Sequence, residues 1–294
     1  MSGGYISLFT NSNYFSDADL QNALPDFQSQ VSYEFNYYWG LYAYLDDSGG
    51  GSPVFVTDYG GDPTTIGYLG YHSIDTNYNP YAIVYADVCA YYNTPVTGVI
   101  SHELLEMLAD QLTDTVDLYD NGDGTGFIVD QEVCDPCEMS LYYEAPNGNI
   151  VSDFVTPAWF MPGDPNPVDF LGAIPGPWQL ASGGYVCYQD VTLSGLICVA
   201  GDKIQRTMAR AKESMTLIDN PVADMIQQVK SRGRRVQSLP KAGKAGEITV
   251  VKRKDVPKVA TMGQFSREMP KNGQVQRTPA KAQRVPAKAQ AASD

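Results

Sequence analysis

Every lysine and arginine of this 294-residue chain lies in its C-terminal third, which limits the parts that can fold together. Residues 1–201 contain 26 acidic residues and no Lys or Arg, whereas the rest has 8 acidic and 20 basic residues. The formal charges of the two parts are therefore −26 and +12. Such an asymmetry typically separates a folded domain from a tail with different partners. Because about 200 residues rich in aromatics can bury an ample core, we predict one acidic domain at residues 1–201.

The basic part divides further by composition. Residues 202–238 have a helical, mixed-charge pattern and are predicted to form a helical connector. Residues 239–294 are rich in Lys, Gln, Ala and Pro, and repeat Pro-Ala-Lys-Ala-Gln from Pro279 and from Pro286. This composition buries too little apolar surface to fold, which predicts a disordered basic tail. The tail suits nucleic acid or an acidic surface, including the chain's own acidic domain, and solvated tethering is an equal alternative.

The carboxylates of the acidic domain have two basic candidates for partners, His72 and His102. All others must be solvated, bonded to backbone N–H groups, protonated or bound to cations. Divalent cations are therefore expected partners, with a solvated acidic surface as the equal alternative. The same charge repels free nucleic acid from this domain.

The strongest chemical signal is the segment His102-Glu103-Leu104-Leu105-Glu106, which lies in an otherwise apolar helical run. Side chains four residues apart share a helix face, so His102 and Glu106 point the same way with Glu103 beside them. An imidazole and a carboxylate can bind zinc, while Glu103 takes a proton from a metal-bound water. The pattern also arises by chance in helices rich in Glu and Leu. Burying three such groups is costly unless they are paired or coordinate a metal, which favours a metal site.

The flanking sequence predicts the setting of this helix. Ser101 is a suitable N-cap, and the helix is expected from Ser101 to about Leu112. Tyr81–Val88 is β-branched and aromatic and predicts a strand, and residues 1–92 as a whole read as strands and turns. A strand that leads into a metal-binding helix is the expected setting of a metal-dependent hydrolase core.

Carboxylates are again concentrated one loop after the helix, at Glu132–Glu138. This segment is the natural source of a third metal ligand, with a solvated acidic turn as the alternative. Before it, residues 121–126 loosely follow the spacing of a calcium-binding loop, which makes calcium a second candidate cation. The same dipeptides also form ordinary hairpin turns.

The cysteine count and the N-terminal sequence indicate the cellular compartment in which the chain is expected. The five cysteines are an odd number that fits a reducing compartment, and Cys134-Asp135-Pro136-Cys137 is better explained by buried free thiols than by a redox or zinc motif. The N-terminus lacks a signal-peptide pattern, and no apolar run approaches the ~18 residues of a membrane span. We therefore expect neither secretion by a signal peptide nor a membrane partner.

In order and spacing, segments within residues 65–190 resemble a largely uncharacterised family of zincin-like proteins from bacteriophages and bacteria. The matching segments are Gly70–His72, Pro80-Tyr81, Ser101–Leu108, Glu132–Pro136, Val151–Phe160, Asp169–Gly172 and Gly183–Tyr185. The S-H-E-x-x-E helix with a downstream E-x-x-D is also similar to plant and bacterial proteins of the phosphate-induced type. The basic tail lies outside the resemblance.

This resemblance implies an α+β fold with a zincin-like metallopeptidase core, in which a mixed sheet supports an active-site helix. Zincins use the strand before that helix as an edge that pairs with an extended peptide, and Tyr81–Val88 would occupy that place. The resemblance also implies a location in the host cytoplasm or the virion.

The resulting prediction is a zinc-binding protein that hydrolyses peptide bonds. The zinc ligands are predicted to be His102, Glu106, and Asp135 or Glu132, with Glu103 as the general base. His72 and Glu138 are predicted to contact the substrate or to surround the site, and a structural role is an equal alternative for His72. Glu106 stands where most peptidases have a second histidine, which makes this site more anionic. The alternative function is a non-catalytic virion or assembly protein that retains the fold and anchors itself to nucleic acid or other chains through its basic tail.

Overall fold

The computed structural model describes residues 4–66, 68–120, 126–138, 141–190, 196–200 and 249–256. In these ranges the chain is α+β, as predicted, and no helix is long and apolar enough to cross a membrane. The strands are β1 (Tyr5–Thr10), β2 (Tyr44–Asp46), β3 (Ser52–Thr57), β4 (Gly70–Ile74), β5 (Pro80–Tyr85), β6 (Val116–Asp120), β7 (Gly126–Asp130), β8 (Leu141–Glu144), β9 (Ile150–Ser152), β10 (Tyr185–Asp190), β11 (Leu196–Ala200) and β12 (Thr249–Val251). The helices are α1 (Asp17–Ser29), α2 (Asn36–Trp39), α3 (Pro63–Ile66), α4 (Ala86–Tyr91), α5 (Val96–Ala109) and α6 (Pro157–Phe160).

The largest sheet has five strands in the order β2-β1-β3-β5-β4. β1, β2, β3 and β5 are parallel, whereas β4 runs antiparallel to β5. Val54 and Val56 alternate with more exposed residues along β3, and Ala82 and Val84 do so along β5, which gives the sheet one buried face. Helix α5 packs on β4 and β5, while α1 packs on β1 and β2. The sheet therefore supports the helix that carries the predicted site.

The edge of this sheet beside α5 is β4, and the prediction that Tyr81–Val88 forms the edge strand is wrong. Strand β5 (Pro80–Tyr85) pairs with β3 on one side and with β4 on the other, and Ala86 begins helix α4. Alternating apolar residues indicate an extended segment but do not place it within a sheet. The edge position brings His72, in the middle of β4, to α5.

Helices also occupy part of residues 1–92, where only strands and turns were predicted. Helix α1 begins with a capping box, in which Ser16 and Asp19 each accept a hydrogen bond from the other's backbone N–H. It continues into a π-helical segment, Gln30–Phe35, and then into α2, which ends at Gly40 with a φ of 65°. The capping box was a readable signal, but Pro25 inside α1 and the neighbouring tyrosines masked the helical pattern.

Helix α5 begins earlier than predicted, with Pro95 as its N-cap. The prediction that Ser101 caps this helix is wrong, because Ser101 lies in the second turn. Its hydroxyl donates to the carbonyl of Gly98 at 3.0 Å and accepts the N–H of Ser152 at 2.6 Å. Ser101 therefore ties α5 to β9.

A four-stranded antiparallel sheet has the order β11-β10-β7-β6. Strands β6 and β7 form a hairpin, and the candidate calcium turn between them falls mostly at residues 121–125, outside the described residues. Cys187 on β10 is disulfide-bonded and stands opposite Cys198 in the strand register. This disulfide departs from the reducing compartment that the odd cysteine count favoured. Cys134 and Cys137 are buried free thiols, as predicted.

The third sheet contains a strand from the basic region. Strand β12 pairs in parallel with β8, which pairs with β9, and Val256 is buried in the core. The predicted disorder of residues 239–294 is therefore wrong for residues 249–256, where three β-branched residues in a row favour a strand. The helical connector predicted at 202–238 and the rest of the tail lie outside the described residues.

Candidate metal centre

Helix α5 presents His102, Glu103 and Glu106 as buried side chains. The i, i+4 spacing brings Nε2 of His102 to 3.1 Å from Oε2 of Glu106, which confirms their predicted common direction. Leu104 and Leu105 pack into the hydrophobic core, and His102, Glu103 and Glu106 are themselves only 3–6% exposed. The helix thus supplies two adjacent polar atoms in a dry surrounding.

The loop after β7 closes over the C-terminal half of this helix. Oε1 of Glu106 accepts the backbone N–H groups of Cys134 at 3.1 Å and Asp135 at 3.2 Å. These two bonds fix the carboxylate, so that Oε2 faces the imidazole of His102. Gly184 lies against the same loop, since a Cβ at this position would lie 2.1 Å from the carbonyl oxygen of Pro136. The absence of a side chain at Gly184 is therefore required for the loop to sit where it does.

Asp135 contributes a second carboxylate next to His102. Its Oδ1 lies 3.3 Å from Nε2 of His102. Burial and the nearby charge of Asp135 raise the pKa of the Tyr185 hydroxyl well above its ordinary value. The contact between Asp135 and the helix was predicted. The proximity of Tyr185 to Asp135 was not predicted, because Tyr185 lies on a strand distant in sequence from both α5 and Asp135.

Strand β4 brings His72 into the same centre. Its Nδ1 lies 3.7 Å from Oε2 of Glu106 and 3.8 Å from Oε2 of Glu103, and its Nε2 lies 3.6 Å from Oε2 of Glu132. The side chain is only 6% exposed, and Nε2 makes no hydrogen bond within the described part of the chain. Gly70 makes this approach possible, because a Cβ there would lie 2.9 Å from Oε1 of Glu103.

Two sets of three ligand atoms, each within 4.8 Å of one another, meet at Glu106. One set comprises His102, Glu106 and Cys134, and the other comprises His72, Glu106 and Glu132. Of the predicted ligands, His102, Glu106 and Glu132 belong to these sets, whereas Asp135 contacts His102 but belongs to neither. Cys134 was not predicted as a ligand, although its neighbours in the sequence were. Glu138 is partly buried and lies within electrostatic reach of His102.

The two imidazoles have strongly perturbed pKa values. Burial opposes the charged form of His72, but the charges of Glu132, Glu106 and Glu103 outweigh it and raise the pKa of His72 to about 10. Burial likewise opposes the charged form of His102, while Glu106 and Asp135 raise its pKa well above the ordinary value. Both imidazoles therefore hold a proton tightly unless another cation takes its place.

Several carboxyl groups at the centre also have raised pKa values, which in an acid favours the neutral form. Burial raises the pKa of Glu103 and raises that of Glu138 to about 7. Burial and the charge of Glu106 raise the pKa of Asp135 well above its usual range. Glu106 differs, because the adjacent His102 outweighs burial and lowers its pKa. The centre thus contains more acids than its two imidazoles can neutralise.

This donor set fits a divalent metal ion. Imidazole nitrogen, carboxylate oxygen and thiolate sulfur are the ligands that zinc uses in proteins. Nε2 of His72 is buried and lies 3.6 Å from Oε2 of Glu132, which is beyond hydrogen-bonding distance. Coordination of a metal ion would give this nitrogen the partner that a buried polar atom requires.

No protein-family model matches this chain, and the searches of curated proteins and of solved structures find no match either. The function has therefore to be inferred from the geometry of the metal centre.

Proposed function

We propose that this chain is a metal-dependent hydrolase of peptide bonds with a zincin-like core. The observation that carries the proposal is the buried pair of His102 and Glu106, whose polar atoms lie 3.1 Å apart beside Glu103. Tetrahedral zinc with bonds of about 2.0–2.2 Å places its ligand atoms roughly 3.3–3.6 Å apart. Nε2 of His102 lies 3.3 Å from Asp135, at the lower end of that range, and 3.1 Å from Glu106, slightly below it.

In this proposal each residue has a distinct role. His102, Glu106, and Asp135 or Glu132 hold the metal, and the two backbone N–H bonds to Glu106 keep its carboxylate in place. When bound, zinc supplies Lewis acidity and lowers the pKa of a coordinated water. Glu103 would be the general base that takes a proton from the attacking water and returns it to the leaving amine, a role suited to a buried carboxylate with a raised pKa.

The substrate class follows from strand β4. In the described part of the chain β4 pairs with β5 on one side, and its other side is the sheet edge. An extended peptide can add to such an edge through main-chain hydrogen bonds. Since β4 carries Gly70 and His72 beside Glu103, a peptide bound there lies next to the proposed base. The zincin-like resemblance implies a mixed sheet with an edge strand beside a metal-binding helix, although it assigns that edge to Tyr81–Val88 and not to β4.

Metal analysis of single variants tests this proposal. We expect His102→Ala and Glu106→Ala to lose bound zinc, because each removes a ligand and leaves the others too few to hold the ion. Asp135→Ala and Glu132→Ala, compared with each other, identify the third ligand by the larger loss. Asp62→Ala is the matched control, since Asp62 is an exposed carboxylate that bonds only to its own turn. Full zinc content in both His102→Ala and Glu106→Ala would contradict the proposed site.

A further inference from the structure

The segment 249–256 lies in a built site on the acidic domain, and buried hydrogen bonds join that site to helix α5. We propose that β8 and Glu34 form a docking site for this segment of the same chain, and that its occupancy is coupled to the metal centre. The docking stands independently of the proposed function, whereas the coupling rests on it.

Backbone pairing provides the first part of the site. Strand β12 lies parallel to β8, with Thr249 opposite Leu141 and Val251 opposite Tyr143. Val256, farther along, is 5% exposed and belongs to the core. Without the segment, β8 would become a sheet edge with unpaired N–H and C=O groups. An extended, β-branched stretch is therefore what the site accepts.

A buried carboxylate provides the second part. Nη1 of Arg253 donates to Oε1 of Glu34 at 3.2 Å, and the Glu34 side chain is only 8% exposed. A buried carboxylate costs free energy unless it is paired. Residues 1–201 contain no Lys or Arg, and their two histidines pair with carboxylates of the candidate metal centre. A lysine or arginine partner for Glu34 has therefore to come from the later part of the chain. Arg253 fills that role, and the site therefore selects an arginine that follows the strand.

The rest of the pocket fixes the Glu34 carboxylate. The hydroxyl of Tyr143 donates to Oε2 of Glu34 at 2.5 Å and accepts a hydrogen bond from Nε2 of Gln30 at 2.9 Å. Gln30 and Glu34 both come from the π-helical segment, a rare geometry that is frequent at functional sites. The site is thus assembled from β8 and this segment before Arg253 is added.

The same hydrogen bonds continue to the metal-ligand helix. Nε2 of Gln30 also donates to the carbonyl of Ser152 at 2.8 Å, and the N–H of Ser152 donates to Oγ of Ser101 at 2.6 Å. Gln30, Ser152 and Ser101 are all buried, and Ser101 directly precedes His102. A shift of Glu34 on loss of Arg253 therefore reaches the helix that carries the proposed ligands. Because linkage is reciprocal, metal binding must strengthen docking by the same factor that docking strengthens metal binding.

Hydrogen–deuterium exchange of the full chain tests the docking. We expect Arg253→Ala to reduce protection of both Leu141–Glu144 and Thr249–Val251 about tenfold or more, because a charge-assisted bond to a buried group is lost. Lys252→Ala is the matched control. It removes the same charge one residue earlier, but Lys252 is 67% exposed and its 3.8 Å pair with Glu144 contributes little.

A synthetic peptide of residues 246–257, added to Arg253→Ala, is expected to restore protection of β8 but not of the chain's own segment. Equal protection in Arg253→Ala and Lys252→Ala, or no effect of the peptide, would overturn the docking. Glu34→Gln provides a second variant, and its effect should not add to that of Arg253→Ala, since both break one contact. If the protection of Leu141–Glu144 and Thr249–Val251 disappears on dilution and size-exclusion chromatography shows a dimer, the segment docks onto a second copy. That result would overturn docking within one chain.

Zinc titration against a chromogenic chelator tests the coupling. We expect the Arg253→Ala variant to bind zinc at least about fivefold more weakly than the Lys252→Ala variant. In the unmodified chain, zinc should in turn increase the protection of Thr249–Val251 from hydrogen exchange. Equal zinc affinities together with different exchange would overturn the coupling and leave the docking standing. If neither the unmodified chain nor either variant binds zinc, the proposed function and the coupling are both wrong. The hydrogen–deuterium exchange experiment still tests the docking in that case.

Discussion

Replacement of Glu103 by Gln is expected to reduce peptide hydrolysis by about 10²–10⁴-fold while zinc remains bound. Gln has nearly the shape of Glu but cannot accept a proton from water. Glu103 is not one of the proposed zinc ligands and belongs to neither set of candidate ligand atoms, so we expect its replacement to leave metal binding intact. Cleavage of a fluorogenic peptide library by the zinc-loaded chain, with zinc content measured on the same samples, checks both halves of this expectation.

Asp62→Asn is the control for this experiment, because it makes the same change at an exposed turn. Unchanged turnover in Glu103→Gln would exclude Glu103 as the general base. If the zinc-loaded chain cleaves no peptide and Glu103→Gln has no phenotype, the non-catalytic virion or assembly protein becomes the better explanation. The experiment therefore separates the two functions that the sequence left open.

Saturating zinc is expected to raise the melting temperature by about 10 °C. A ligand at a thousand times its Kd adds about 4 kcal/mol, and a domain of about 200 residues gains roughly 2–4 °C per kcal/mol. The physical reason is charge, since the centre brings Glu103, Glu106, Glu132, Asp135 and Glu138 around two imidazoles. Thermal unfolding with zinc and with chelator measures the effect, and His102→Ala should abolish most of it.

The zinc-dependent increase should also grow as pH rises from about 6.5 towards 10. Both histidines have raised pKa values in the folded chain, that of His72 being about 10. The stability that a protonated histidine contributes is complete below its unfolded pKa of about 6.5 and is lost as pH rises through its folded pKa. Zinc competes with those protons and binds better as they leave. A zinc-dependent increase that falls with rising pH would contradict this linkage.

The helix part of the centre was predictable because it depends on local geometry. The 3.6-residue period places His102 and Glu106 on one face in any α-helix, whatever the helix packs against. The contact of Asp135 with His102 depends on the β6–β7 hairpin, after which the chain returns to the helix. These contacts are determined by sequence spacing and by the burial of the residues between them.

The position of His72 depends on sheet pairing, which the sequence did not reveal. His72 reaches Glu106 because β4 pairs antiparallel with β5 and lies at the edge beside α5. Nothing in the local pattern separates an edge strand from an interior one, so the edge was assigned to the wrong strand. Tyr185 reaches Asp135 through a similarly distant pairing of strands.

The C-terminal segment shows how composition misleads when a short stretch differs from its surroundings. Residues 239–294 as a whole are polar and basic, yet Thr249–Val251 is β-branched and is followed by an arginine. The absence of basic residues before Lys203 was the usable signal, since a buried Glu34 then needs a partner from the tail. Binding of the tail to the chain's own acidic domain was one of the alternatives predicted, but Arg253 was not identified as the residue that makes the contact.

Anomalous diffraction at the zinc absorption edge, from crystals of the full chain grown with zinc, tests the metal centre most directly. The expected result is an anomalous peak at about 2.0–2.2 Å from both Nε2 of His102 and Oε2 of Glu106. The peak should disappear in crystals of His102→Ala. Absence of a peak between these two atoms, or peaks confined to exposed carboxylates elsewhere on the acidic domain, would contradict the proposed metal centre.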